Sequence, residues 1–317
     1  MGYNVERISE KNFDSFIEIF EATFSKKADR AYFQNKFNTA YTSSSYVGFI
    51  AFEDVTHAPA AFYGVYPTQV MQHGKLVLAA QSGDTATHPN HRKKGLFNIL
   101  HDHTMELCKQ ENIAFVFGFP NAQSYPGFLK FGWTHTSDSQ HSVWLNKISF
   151  FKKLHRKLSP DSFESAKIKL LKSTKIELSQ LSQLEASPAV LSALKDSVYI
   201  PRTPNYLAYK EKLGSFVIQL NSGYAWVSPK SNELRVGELF CTDADKLFAE
   251  LMELCLQCGF DLLSFTSSHH DFFARFEKKF PVYKKQSSGA LIINHLNGIV
   301  SLEDANFVYS GGDFDTF

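Results

Sequence analysis

Thr87-His88-Pro89-Asn90-His91-Arg92-Lys93-Lys94-Gly95-Leu96-Phe97-Asn98-Ile99-Leu100 is the stretch whose reading decides the fold. An apolar run, Leu76 to Ala80, leads towards it and an amphipathic pattern follows it, which reads as strand, tight basic turn, helix. Arg92, Lys93 and Lys94 stand immediately before Gly95. Bare backbone at a helix start leaves several amide N–H groups unpaired, and the helix dipole adds positive potential there. Such a turn suits a pyrophosphate. It is neither G-x-x-x-x-G-K-[ST] nor G-x-G-x-x-G, so the two commoner nucleotide loops are excluded.

A second motif follows at the spacing of one strand. After the hydrophobic run Ala114 to Phe119 comes Asn121-Ala-Gln-Ser124-Tyr125-Pro-Gly-Phe128-Leu-Lys-Phe131-Gly132-Trp133. Together the two motifs resemble the GNAT acyltransferases. The basic turn is similar to their acyl-CoA pyrophosphate loop, R/Q-x-x-G-x-G/A, with Phe97 in place of the small last residue. The second stretch is similar to their N-x-x-A/S…G-F signature. The resemblance covers residues 1–145 and implies an α/β (α+β) fold, a mixed and mainly antiparallel sheet flanked by helices. It implies acyl-CoA as co-substrate, without a metal. The cofactor contacts it implies are Thr87, Arg92, Lys93, Lys94, Gly95, Leu96, Phe97, Asn121 and Ser124.

The chain has 317 residues, a soft indication of two domains. At 44% hydrophobic and 21% charged it can bury a core. A net charge of +1 argues against broad nucleic-acid binding. No apolar run reaches the ~18–20 residues of a membrane span, and the start has no signal-peptide core. The four cysteines include Cys255-Leu-Gln-Cys258, on an apolar stripe with Leu247, Leu251 and Leu254, which reads as buried thiols and fits a cytoplasmic location.

Phe13, Phe16, Ile17 and Phe20 mark a first helix, and a second runs near Ala28–Asn38. Tyr46–Glu53, Pro59–Met71 and Lys75–Thr87 read as strands, and Gly95–Gln110 as a helix. Its apolar face takes Leu96, Ile99, Leu100, His103 and Leu107, which puts His103 in the core and His101 at the surface. Lys147–Lys175 holds nine Lys/Arg against Asp161 and Glu164. It reads as a basic linker, residues 146–175, whose Ile148, Phe151, Leu154 and Leu158 share a helical face; lipid docking is the other reading. The expected domains are therefore 1–145, with the acyl-CoA site, and 176–317.

The second domain reads as a weakened repeat of the first. Ser215–Val227 and Leu234–Cys241 are expected strands, Asp245–Cys258 a helix and Asp261–Thr266 a strand, followed by Ser267-Ser268-His269-His270 and an aromatic stretch. After Cys241 comes Thr-Asp-Ala-Asp-Lys, with two carboxylates and no glycine, so a phosphate there is repelled. The expectation is a tandem GNAT chain with one acyl-CoA site and a degenerate second half.

For chemistry, N-acyl transfer needs a polarised thioester carbonyl, an amine that loses its proton and a thiolate that gains one. The GNAT resemblance places a carboxylate base on the strand before the turn, where Asp84 stands; bracing the turn is its other reading. The position of the family's tyrosine acid holds Phe128, so Tyr125 one turn earlier is the candidate acid, and water is the alternative. His88 and His91 flank the turn, either as phosphate contacts or as exposed loop residues. His269 and His270 form no metal set and are candidate acceptor contacts. The C-terminal stretch Asn306 to Phe317 holds four aromatic rings, Asp313 and Asp315 around Gly311-Gly312. It is expected to dock and to line the acceptor site between the halves.

Within the family, the resemblance points to tandem-GNAT enzymes that acylate nucleotide-linked amino sugars, dTDP- or UDP-linked, in bacterial surface-polysaccharide pathways. Ring-rich composition suits stacking on such an acceptor. Aminoglycoside or peptide amines are rival acceptors, and a non-catalytic acyl-CoA-binding module is the rival class. A branch that takes aminoacyl groups from tRNA calls for a basic surface, and the intact CoA turn argues against it.

Overall fold

In the computed structural model, β1 (Tyr3–Arg7), β2 (Val47–Glu53), β3 (Pro59–Gln72) and β4 (Lys75–Thr87) form an antiparallel run in that order. β5 (Phe115–Gly118) adds parallel to β4. The structure describes residues 2–145, 154, 157–173, 194, 196–268, 276–296 and 305–317. These divide into two compact units, Met1–Thr136 with Leu291–Ala305, and Ser137–Ala290 with Asn306–Phe317.

The first unit follows from local chemistry. β3 and β4 turn through His73-Gly74, both at positive φ (47° and 74°), so Gln72 pairs Lys75 across a two-residue loop. Helices α1 (Phe13–Phe24) and α2 (Arg30–Phe37) bury Phe13, Phe16, Ile19, Phe33 and Phe37 against Ile50 and Phe62 of the sheet. α3 (Leu96–Gln110) and α4 (Tyr125–Lys130) follow β4 and β5, and β6 (Thr134–Leu145) follows α4. β5 pairs on its other side with residues 292–295, which the chain returns from far downstream. The unit is therefore not the contiguous 1–145 that sequence alone suggests.

In α3 the buried face is Leu96, Leu100, His101, Thr104, Leu107 and Cys108. Ile99 and His103 are exposed, the reverse of the expected histidine assignment. The stripe is rotated by a residue because His101 is recruited by Trp133, whose indole Nε1 donates to His101 Nε2 at 3.0 Å.

The second unit repeats the element order. β7 (Ser197–Tyr199) leads to a helix (Pro204–Lys212), then β8 (Phe216–Leu220), β9 (Gly223–Lys230) and β10 (Glu233–Cys241), antiparallel in sequence. A long helix (Ala244–Cys258) and β11 (Leu262–Ser267), parallel to β10, follow. The expected single strand Ser215–Val227 is instead a hairpin, with Leu220 pairing Gly223. Cys255 and Cys258 are buried thiols in the core under Trp144 and Phe248. Of the basic stretch, Pro160–Lys172 is helical. Its Leu171 is buried in that core, and Lys167 lays its ammonium over Phe260 at 4.6 Å and donates to the Ser231 carbonyl. Ile148 and Phe151 lie outside the described residues, and Leu158 is exposed.

Candidate functional site

β4 carries one extra residue against β3. Tyr63 pairs Thr85 and Gly64 pairs Gly83, which leaves Asp84 as the bulge at φ 36°. The parallel pairing of β4 with β5 ends at Ser82 and Gly118. Beyond those residues the two strands line a cavity of about 390 Å³. Its wall is built from Ser82–Thr85, Gly118–Asn121, Phe97 of α3 and Gly127–Phe128 of α4.

Phe97 of the wall lies in the first turn of α3, which the basic turn precedes. Arg92, Lys93, Lys94 and Gly95 are all exposed, and Lys93 and Gly95 adopt left-handed φ (63° and 75°). Gly95 caps α3 without any side-chain hydrogen bond, and nothing stands within 4 Å of where its Cβ would be. The first α3 amides, Leu96 and Phe97 among them, therefore have no helical acceptor and face an open, basic turn. Thr87 ends β4. His91 is not an exposed loop residue: it is buried, its Nδ1 lies 3.0 Å from the Tyr3 hydroxyl, and burial holds its imidazole below the usual histidine range. His88 caps the short turn Pro89–His91 by accepting from the Asn90 amide.

The Asn121 loop is held locally. Asn121 Oδ1 accepts from the amides of Gln123 (2.9 Å) and Ser124 (3.0 Å), which starts α4. Asn121 and Ser124 line the cavity with Asp84 and Phe97. Tyr125 is not among the lining residues; its hydroxyl lies 3.1 Å from His135 Nδ1. Phe128 reaches the wall in its place. Phe97, at the position of a small residue in the GNAT pattern, packs edge-on to Phe128 (5.6 Å) and Tyr63 (5.6 Å) and against Phe131 (5.2 Å). The aromatic cluster explains that departure.

Asp84 has partners that sequence reading missed. Lys36 of α2 places Nζ 2.6 Å from Asp84 Oδ2, and the Tyr66 hydroxyl donates to the same oxygen. Lys36 is 1% exposed. Its position on a polar helix stretch gave no signal, because the partner stands 48 residues away.

In the second unit, the stretch 306–317 buries Tyr309 and Phe317. Asp313 does not present a free carboxylate. It is 2% exposed and is gripped by both terminal nitrogens of Arg202, whose Nε also donates to Glu238 at 2.6 Å. Asp315 is half-buried. His269 and His270 lie outside the described residues. Among the described residues no cluster of three His, Cys, Asp or Glu is placed to hold a metal, and no helix is long and apolar enough to cross a membrane.

Residues 4–136 match the family model described as the acetyltransferase (GNAT) domain. No curated protein matches the chain by sequence. Among solved structures, a GCN5-related N-acetyltransferase from Kribbella flavida aligns over 94% of this chain and 73% of its own, with TM-score 0.59 and 12% identity. A putative acetyltransferase from Pyrococcus horikoshii aligns over 94% of this chain and 90% of its own, with TM-score 0.56 and 13% identity. Saccharomyces cerevisiae N-myristoyltransferase with bound myristoyl-CoA aligns over 92% of this chain and 78% of its own, with TM-score 0.59 and 11% identity. At these identities the structures establish the fold. The stretch that holds most of the cavity, residues 4–136, matches the GNAT acetyltransferase domain, and that match supports an acyl-CoA-dependent N-acyltransferase.

Proposed function

We propose that the cavity between β4 and β5 is where an acyl group passes from acyl-CoA to the primary amine of a small acceptor, and that the acceptor is a nucleotide-linked amino sugar. The observation that carries the reading is a cavity lined by both Asp84, at the bulge, and Phe97, in the first turn of the helix that the uncapped basic turn begins. The pyrophosphate sits on the amides of residues 93–97 with Arg92, Lys93 and Lys94 supplying charge. The thioester enters the gap between the separated strands, where a backbone N–H polarises its carbonyl.

The amine nitrogen attacks the thioester carbon, and the tetrahedral adduct expels CoA as thiolate. Asp84 takes the proton released from nitrogen. Tyr125 is turned towards His135 and Phe128 has no proton to give, so water protonates the thiolate. Phe97, Phe119 and Phe128 give the wall apolar faces against which a sugar or base stacks. The second unit contributes no second acyl-CoA site, and the chain is a tandem of one active and one degenerate half.

The test is turnover. Purified protein is mixed with acetyl-CoA or a hydroxyacyl-CoA and dTDP- and UDP-amino sugars, aminoglycosides or peptide amines, while free thiol is followed. Thiol release with an amino sugar supports the reading. Release confined to an aminoglycoside or a peptide replaces the acceptor, and tight acyl-CoA binding with no release for any amine replaces the catalytic role.

A further inference from the structure

Among the described residues lining the cavity, Asp84 is the one with an ionisable side chain. Two other elements reach it from behind. Lys36, from α2, ends 2.6 Å from Oδ2, and Tyr66, from β3, donates its hydroxyl to the same oxygen. The elements that form the cavity wall itself (β4, the start of α3, the loop after β5 and α4) bring no further charge to it. The Lys36 ammonium is enclosed by rings, 4.8 Å from the Tyr66 centroid and 6.0 Å from those of Tyr32 and Phe33. Phe37 packs edge-on to Tyr66 at 5.1 Å.

A lysine buried in an aromatic box is costly unless an anion meets it. The cavity carboxylate is an anion that meets it. Both bonds end on Oδ2, which leaves Oδ1 as the oxygen for a ligand. The left-handed φ of Asp84 at the bulge carries the side chain to this meeting point.

We propose that Lys36 and Tyr66 are positioning residues that hold the Asp84 carboxylate in one orientation, with a single oxygen turned to the acceptor amine. The inference rests on the reading of Asp84 as the group that receives the amine proton. The carboxylate attracts the acceptor ammonium, which gives one proton to water and attacks the thioester carbon as the neutral amine. Nitrogen becomes strongly acidic once it is bonded to that carbon. The proton then moves from that nitrogen to Oδ1, while Lys36 keeps its own.

The experiment uses the full chain with acetyl-CoA and the amine that turns over fastest in the panel above. Lys36→Met and Tyr66→Phe should each lower kcat about 10-fold or more, while acetyl-CoA affinity, read by calorimetry, stays within about twofold of the parent. Lys36→Arg, which keeps the cation, should recover part of the lost kcat. An unchanged kcat in a Lys36→Met protein that melts like the parent overturns the inference. If Lys36→Met fails to fold, an unchanged kcat in Tyr66→Phe does so. A fully active Asp84→Asn overturns the underlying reading of Asp84 as the base, whatever Lys36 does. An inactive Asp84→Asn with parental kcat in Lys36→Met sinks the positioning role alone.

Discussion

Asp84 in the first unit and Gly237 in the second occupy the same place in the strand order. Each is the extra residue of the strand before the long helix: Asp84 against β3, Gly237 between the pairs Val236–Val227 and Glu238–Trp226. Each lies just past the end of a parallel pairing, Ser82 with Gly118 and Val236 with Phe265. In the first unit the strands beyond the bulge line a cavity. In the second, residues 306–317 fill the corresponding gap. Ser310 bridges Ser267, Tyr309 and Ser268 exchange hydrogen bonds, and a methyl on Gly237 would meet the Phe317 ring at 2.7 Å. Gly312 rests on Trp226, and Arg202 locks the segment through Asp313.

The helix starts differ in the same sense. Gly95 leaves the α3 amides open, whereas Asp243 caps the Ala244–Cys258 helix by accepting from the Lys246 amide. That backbone bond holds the Asp243 carboxyl below the usual range, so the site stays anionic. One bulge thus supports two outcomes, an open cleft with a bare helix start and a filled cleft with a capped one. The lesson is that the strand irregularity makes a gap, and the side chains around it decide whether a ligand or the chain itself fills it.

The largest expected effect tests the filled cleft. Arg202→Met leaves the Asp313 carboxylate buried without its cation, and should lower unfolding free energy by about 3–5 kcal/mol in a denaturant titration. A loss below about 1 kcal/mol would mean that the Arg202–Asp313 pair does not hold the segment in place.

Next comes the open cleft. Gly95→Asp should weaken acyl-CoA binding about 100-fold or more in calorimetry, a loss of ~2.7 kcal/mol, by placing an anion at the bare helix start. Gly95→Ala, which has room but a left-handed φ, separates charge from strain and should cost only about 1 kcal/mol of stability. Equal affinity for the parent and the Asp variant would remove the pyrophosphate from this turn.

Gly237→Ala should destabilise by about 1–3 kcal/mol, because its methyl collides with Phe317 and the Gly312 backbone. If thermal unfolding is unchanged, the packing of residues 306–317 onto the bulge is looser than described.

The smallest effect concerns His101. Trp133 N–H only donates, so His101 Nε2 must be an unprotonated acceptor, and Nδ1–H faces Asp102. Burial, the largest cause, holds the folded imidazole below its ordinary value. The unfolded chain therefore binds a proton first as pH falls below about 6.5, and stability present above that pH is lost on acidification. His101→Gln should flatten this part of the melting-temperature profile between about pH 7 and pH 5.5. A profile as steep as the parent's would assign the acid sensitivity elsewhere.

Much of this was legible in the residues. The helix start at Gly95, the hairpin strands on either side of His73-Gly74 and the Asn121 loop each depend on neighbours within a few positions. A left-handed φ, an Asx turn or an open amide is a local property. The aromatic reason for Phe97 was not legible, since Tyr63, Phe128 and Phe131 reach it from three other elements. Helical spacing alone gave the wrong histidine of α3 to the core, because the period fixes a stripe only to within a residue of rotation. The partner Trp133 settled it.

The sequence by itself determined that residues 87–100 carry a bare, basic helix start after a strand, because glycine, lysine and arginine act there through short-range backbone geometry and charge. It also marked Asp84 as the carboxylate near that turn. Only the tertiary structure decided what surrounds that carboxylate and what fills the second gap. Lys36 meets Asp84 across 48 positions, and Arg202 meets Asp313 across 111. Pairings of buried charges over such separations leave no periodicity to read, because they are fixed by the packing of whole elements and not by the spacing of residues along one.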